Sequence, residues 1–395
     1  MPHNGEFKEV GHCGGQFTVT VTTDAQGRRG VSYGVQGSRP VPAALFAVWA
    51  LGQGIPVKMA AIPGMGDAFD PPPHPTCILA HVASDSQGLF GHTCPSCEGY
   101  WRSRAAPATW PLTCPYCGLR DGAHNFLTLG QKRFVEALCL AALEVVHSGR
   151  DGTVTLDMDP IADRAQQDVA LPSYCYTETS QQHQYTCDAC GGTDDILGTY
   201  GYCSSCGTRN DRSLFARTVE AIREETRTRH SKDDPLEPAV PDLVRAFDSM
   251  ARQYAKQLAA RIPLVAARKT RLLETPFHNV QQRADELNQW FGIDLLAGLD
   301  LAGRAQVSRM FYRRHVYEHN GGQADQDYLE ASGDTLRLGQ ALRETPETVF
   351  LLATLLERMA RNLHVGFHAL FPPVVEPVRL YAEQQAQREA YREHR

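Results

Sequence analysis

Eight of the chain's twelve cysteines fall into four Cys-x-x-Cys pairs: Cys94/Cys97, Cys114/Cys117, Cys187/Cys190 and Cys203/Cys206. Sixteen residues lie between the first two pairs and twelve between the second two. Two such knuckles supply four thiolates, the full tetrahedral complement that a structural Zn2+ takes. Gly118, Gly191 and Gly207 directly follow Cys117, Cys190 and Cys206. A glycine there can adopt the left-handed conformation that turns the backbone under the sulfurs. The spacing predicts two zinc ribbons, each with four cysteine ligands. With four protein ligands each metal has no open position, so its expected role is structural and no metal is expected for catalysis. Cys13, Cys77, Cys139 and Cys175 have no such partners, and Cys139, in the apolar run 134–146, reads as a core residue.

The rest of the composition narrows the class. A chain of 395 residues is too long for one ordinary core, and a 42% hydrophobic content excludes a mostly disordered chain. With 39 Lys and Arg against 45 Asp and Glu, the net charge is −6, so no global basic field draws the protein to polyanions. Any such binding must come from a local patch. In the first ribbon, Tyr100, Trp101, Arg102, Arg104 and Trp110 mix cations with aromatics, and Trp101 and Arg102 are the expected nucleic-acid contacts. The second ribbon carries Asp194 and Asp195 at the equivalent place, with Arg209 and Arg212 beyond its last knuckle. The most apolar run, 41–51, is too short to span a bilayer, and the first residues lack an apolar secretory segment. The expectation is a cytoplasmic protein without a membrane partner, where thiols stay reduced and free for metal.

Along the chain the pattern predicts an α+β multidomain protein. Residues 1–90 read as a small α/β unit: a strand at 17–22, a hairpin loop at 27–30 and a short apolar helix at 42–51. Ribbon one spans 91–120. A helix at 131–147 and a strand at 154–158 lie in a connector, 121–185. Ribbon two spans 186–210, and a charged helix at 213–228 and a Pro-rich linker fill 211–240. From 241 to 375 the chain is helical. Leu243, Phe247, Met250, Tyr254, Leu258 and Ile262 form one apolar stripe; Val349, Leu352, Leu356, Met359 and Leu363 form another, after the start signal Thr345-Pro346. Helices at 280–291 and 299–318 complete a four-helix-bundle pattern. The polar tail 376–395 reads as a solvated helix or a dimer contact. Gly64-Met-Gly66 lacks the Lys-Ser/Thr of a phosphate-binding loop.

At the end of the third bundle helix stands Arg-Met-Phe-Tyr-Arg-Arg-His-Val-Tyr-Glu-His-Asn-Gly-Gly, 309–322. Helical spacing puts Val307, Met310, Phe311, Arg314 and Tyr317 on one stripe, so Arg314 takes a core-like position and needs a partner. His319 follows where Asn320-Gly321-Gly322 stops the helix. Arg314-His315-x-x-x-His319 in the third helix of a four-helix bundle resembles the Arg-polar-x-x-x-His signature of HEPN domains, over about 240–370. That resemblance implies a metal-independent endoribonuclease, in a toxin or antiphage role, whose site is shared by two protomers. It implies that Arg314 holds the scissile phosphate, that His319 moves the proton and that His315 is the polar second residue. Arg313 is the competing candidate for the motif arginine, and Asn320 a further substrate contact.

The chemistry agrees. Cutting RNA without metal needs a base for the 2′-hydroxyl, which His supplies near neutrality, and a cation for the phosphate, which Arg supplies bidentately. The expected partners are RNA, a second copy of the chain, and a regulatory protein or nucleic-acid trigger. Two rivals use the same residues. A non-enzymatic adaptor would bind nucleic acid or protein through its ribbons and only dimerise through its bundle. A zinc peptidase would use His315, Glu318 and His319 as His-x-x-Glu-His with an acidic ligand such as Glu357. Asp325, Asp327 and Tyr328 are expected to organise the loop after the glycines or the dimer, and His364 and His368 read as a helix end rather than a metal site.

Overall fold

A computed structural model describes residues 15–37, 45–61, 71–84, 87–104, 110–166, 181–228, 235–277 and 279–393. Cys13, Cys175 and Gly64-Met-Gly66 lie outside them. The chain divides into two units, Met1–Thr208 with Val374–Arg395, and Arg209–Pro373.

The strands of the first unit are β1 (Gly15–Thr23), β2 (Arg29–Gly37), β3 (Leu45–Ala50), β4 (Pro56–Ala61), β5 (Ile78–Ala83), β6 (Leu89–Thr93), β7 (Tyr100–Arg104), β8 (Leu112–Thr113), β9 (Arg120–Asp121), β10 (Gly152–Asp157), β11 (His183–Thr186) and β12 (Thr193–Ile196). Its helices are α1 (Leu129–His147), α2 (Met158–Gln166) and the late α10 (Val375–Glu393). In β1 the alternation of Phe17, Val19 and Val21 with threonines buries one face. The strand pairs antiparallel with β2 and β10 in the order β10-β1-β2. The 42–51 segment, expected as a helix, is instead the strand β3 over its described part. It is the middle strand of β4-β3-β5, and Phe46, Ala47, Val48, Trp49 and Ala50 are all buried. A strand covered on both faces loses its alternation and reads like a buried helix. Helix α1 starts two residues earlier than the pattern suggests, at a capping box between Thr128 and Gln131. Phe134, Val135, Leu138, Cys139 and Ala142 pack on the sheets, and Cys139 is the expected core residue.

The two cysteine-rich segments form one sheet. Hairpins β6-β7 and β11-β12 meet through their second strands, giving the order β11-β12-β7-β6. The joining pairs are Asp194↔Ser103 and Asp195↔Arg102. A reciprocal pair of backbone hydrogen bonds repeats this relation at the knuckles: Thr113 N–H donates to Ser204 C=O at 2.8 Å, and Tyr202 N–H to Pro115 C=O at 2.9 Å. Each bond runs from the residue before a cysteine to the residue after its counterpart, Cys114 or Cys203. The two halves thus relate by an approximate two-fold. Helix α10 belongs here as well. Val374 N–H donates to Cys206 C=O, and Val378 packs against Cys187, Cys203 and Cys206. The Tyr381 ring lies where a Cβ on Gly191 would fall, so only glycine lets α10 approach this knuckle.

The second unit is helical: α3 (Asp211–Thr228), α4 (Ala239–Arg261), α5 (Ala266–Glu274), α6 (Val280–Phe291), α7 (Leu301–His319), α8 (Gln326–Ser332) and α9 (Pro346–Leu370). Helix α4 is central and packs on α3, α5, α7 and α9. Phe247 meets Phe215, Phe277 and Phe311 edge-on, with centroids 6.1, 6.2 and 6.4 Å away. The stripe Val349, Leu352, Leu356, Met359 and Leu363 is fully buried, and Thr345 caps α9 with Pro346 in its first turn. Helix α3, grouped with the linker by its charges, carries buried Phe215 and Val219 and packs on α4 and α9. This unit therefore begins at Arg209 rather than at 241.

Candidate functional site

The cysteines assemble into the two expected sets. Cys94, Cys97, Cys114 and Cys117 form one, and Cys187, Cys190, Cys203 and Cys206 the other, with all sulfurs of a set within 4.8 Å of one another. Opposed sulfurs stand 3.6 Å (Cys94, Cys117), 3.7 Å (Cys97, Cys114), 3.7 Å (Cys187, Cys206) and 3.5 Å (Cys190, Cys203) apart. A tetrahedron with metal–sulfur bonds of about 2.3 Å has edges of about 3.8 Å, so each set is close enough to hold one metal ion. Four knuckles share one backbone design. The first cysteine's C=O accepts from the residue four positions on: Glu98, Gly118, Gly191 and Gly207. All four take positive φ, and Glu98 does so at 59° without being glycine. That strain costs about 1–2 kcal/mol. It explains why the glycine signal misses the first knuckle. Cys114 and Cys117 also interact directly, which holds the Cys117 thiol down and pushes that of Cys114 up.

The expected nucleic-acid contacts on the first ribbon do not face solvent. Trp101 is wholly buried and meets Phe126 edge-on at 5.4 Å. Arg102 is 1% exposed and donates from Nε and Nη2 to Asp195 Oδ2, at 2.8 and 2.5 Å. Asp195 also accepts from Gln181 N–H. The cation of one ribbon and the carboxylate of the other, far apart in sequence, neutralise each other where β7 meets β12. Tyr100 C=O accepts from Tyr116 OH, and Arg104 remains exposed.

At the end of α7 the residues separate into three groups. Arg313 is built into the fold, donating to Tyr328 OH at 3.1 Å, to Glu344 at 2.9 Å and to Asp334 at 2.9 Å. Tyr317 OH donates to the same Glu344 at 2.6 Å. Arg314 instead lies one turn from Glu318 on its own helix, at 2.5 Å, with a side chain 15% exposed; Arg245 approaches the same carboxylate at 3.6 Å. His315 and His319 form the third group, both exposed, with ring centroids 4.6 Å apart. His319 stays helical and packs on His315; it does not turn toward Arg314. Five residues at 100° each put Arg314 and His319 about 140° apart around the axis.

Asn320 caps the helix and bonds the Asp325 carboxylate, which also caps α8 through Tyr328 N–H. Gly321 and Gly322 follow with φ of 59° and 77°. Asn320 thus holds the loop, and Asp325 and Tyr328 have the organising role expected of them.

The remaining histidines and carboxylates have structural duties. His364 Nδ1 lies 2.8 Å from Tyr254 OH, and burial holds its imidazole down to about 3. His368 Nε2 accepts from Arg209 N–H at 3.2 Å, which leaves Nδ1 to donate to Phe371 C=O at 3.1 Å. Glu357 accepts from both Nη atoms of Arg223, at 3.1 and 2.7 Å. Among the described residues, the groups of three or more His, Cys, Asp or Glu able to share a metal are the two four-cysteine sets; His315, Glu318 and His319 do not form a third. No described helix is long and apolar enough to cross a membrane. No family model, curated protein or solved structure matches this chain.

Proposed function

We propose that the protein is a metal-independent endoribonuclease of HEPN type, working as a homodimer, with a structural Zn2+ in each four-cysteine set. The observation that carries the reading is the sorting of the two arginines. Arg313 is engaged by Asp334, Glu344 and Tyr328, whereas Arg314 pairs with a carboxylate on its own helix, beside two exposed histidines. Because Arg314 and His319 diverge around one helix, a single phosphodiester meets both chemistries when two α7 ends face each other. His319 takes the proton of a 2′-hydroxyl, and the O2′ attacks phosphorus. The 5′-oxygen leaves with a proton donated by His319 of the partner subunit, which enters the step protonated as the general acid. The products are a 2′,3′-cyclic phosphate and a 5′-hydroxyl. Arg314 leaves Glu318 for the phosphate and stabilises the charge that develops on it. His315 supports the base through ring contact.

The zinc assignment rests on four thiolates at tetrahedral spacing. The ion supplies cross-linking only, and the cysteines carry out no step. The test is cleavage of mixed RNA with divalent ions withheld, comparing wild type, His319→Ala and Arg314→Ala at unchanged zinc content. Cleavage confined to the wild type, with cyclic-phosphate ends, is expected. Equal cleavage in all three, or none in any, removes the nuclease reading and leaves a zinc-stapled adaptor with a dimerising bundle.

A further inference from the structure

Strands β3 and β5 of the sheet β4-β3-β5 are buried on both faces. Phe46, Val48, Ala50, Ile78, Ala80 and Val82 point toward α1 in the main core. The opposite face, with Ala47, Trp49, Leu79 and His81, borders a cavity of about 750 Å3 that β2, the 71–76 segment and the end of α1 enclose. This volume falls in the range of small-molecule sites. Its walls are mainly apolar and aromatic, with Trp49, Tyr33, Leu79 and Pro72 among them, and Ser32, Thr76 and His147 add polar groups. One polar group is out of keeping with such a lining. His81 is 5% exposed and lines the cavity, yet among the described residues its Nδ1 has no hydrogen-bond partner. Leaving a buried ring nitrogen unpaired destabilises a fold, and an apolar side chain of the same size would avoid the loss. Burial holds the His81 imidazole down to about 4, so at neutral pH it is uncharged and can present either a donor or an acceptor. Arg29, on β2, adds an exposed guanidinium to the lining.

We infer that this cavity binds a flat aromatic heterocycle bearing an anionic group, of mononucleotide size. The heterocycle lies against Trp49 and Tyr33, one ring heteroatom pairs with His81 Nδ1, and the anion meets Arg29. The aromatic lining selects a planar body, the single deep imidazole selects a hydrogen-bonding ring over a hydrocarbon, and the guanidinium selects an anion. The inference is independent of the α7 site, since it concerns the other unit and a different set of residues.

The test is calorimetric titration of the full-length protein with AMP, GMP, CMP and UMP, with the matching nucleosides, and with indole-3-acetate as an aromatic acid that is not a nucleotide. Intrinsic tryptophan fluorescence, to which Trp49 and three other tryptophans contribute, is followed in parallel. Saturable binding by at least one anionic probe is expected, weakened about tenfold or more in His81→Leu. Arg29→Ala should weaken the anionic probe while leaving its uncharged counterpart unchanged. His81→Leu should fold with an equal or higher Tm, because it removes an unpaired polar atom. Preference for a nucleotide or for the aromatic acid then identifies the ring. Absence of binding by every probe at roughly 1 mM, or binding indifferent to His81→Leu, overturns the inference. Binding sensitive to Arg29→Ala alone also overturns it, because it reports a surface anion contact.

Discussion

Two arginine–carboxylate pairs in this molecule have the same chemistry and opposite circumstances. Arg102 and Asp195 have side chains 1% and 0% exposed and join two strands nearly a hundred residues apart. Arg314 and Glu318 are one turn apart on one helix, with side chains 15% and 22% exposed. In the first pair desolvation has already been incurred by both ions, and removing either strands the other in a dry sheet. On the proposed function, the carboxylate of the second is a local placeholder, nearer to water and exchangeable for a substrate phosphate at small cost. Burial, rather than the presence of an ion pair, sets what breaking each of these two pairs costs.

Four experiments break or sharpen that contrast. The largest effect is expected for Cys203→Ser, which removes a sulfur from the second cluster. Bound metal, read by elemental analysis, should fall below two ions per chain. The sheet enclosing Arg102 should lose cooperative unfolding, since a structural zinc contributes on the order of 10 kcal/mol. Retention of both ions and a normal transition would contradict the coupling of the two halves through Thr113, Ser204, Tyr202 and Pro115.

Arg102→Met comes next, with a loss of about 3–5 kcal/mol in urea unfolding. Arg314→Ala should change unfolding by less than about 1 kcal/mol. If the two substitutions cost the same, the contrast fails.

Histidines follow the same division. The folded pKa of His364 lies near 3, below the ordinary value of about 6.5. Below pH 6.5 the unfolded chain binds a proton that the folded chain refuses, so stability present above that pH is lost as pH falls toward 3. Between pH 6.5 and 5 the loss is about 2 kcal/mol. Denaturant melts of wild type and His364→Phe at the two pH values should show a loss smaller by about this amount in the variant, where buried His81 and His92 still contribute. The smallest effect belongs to Glu318→Gln. Freed from a full negative charge, Arg314 should engage phosphate more readily, and cleavage should rise several-fold with unfolding within about 0.5 kcal/mol of wild type. A fall in cleavage would make Glu318 a participant rather than a placeholder.

Much of this is legible in the sequence because it is local. Cys-x-x-Cys spacing, the capping signals Thr128 and Thr345-Pro346, and the stripe through Val349 and Leu363 each depend on residues within a few turns. What escapes is non-local. Nothing near Trp101 and Arg102 announces that β12 will cover them, so a cationic, aromatic stretch that reads as a surface is the seam between two hairpins. Strand β3 is hidden because burial on both faces erases period two. Likewise Arg313 and Arg314 cannot be ranked from the sequence, since Asp334 and Glu344, which claim Arg313, lie 21 and 31 positions downstream.

The seam between β7 and β12 also governs what happens if the chain is cut between the two cysteine-rich hairpins. Each fragment would expose a ready-made strand edge, one with a naked guanidinium and the other with a naked carboxylate. Like fragments would repel at that edge, and unlike fragments would recombine. A split protein made from these halves should therefore reassemble as a heterodimer, which makes this seam a natural breakpoint for conditional reconstitution.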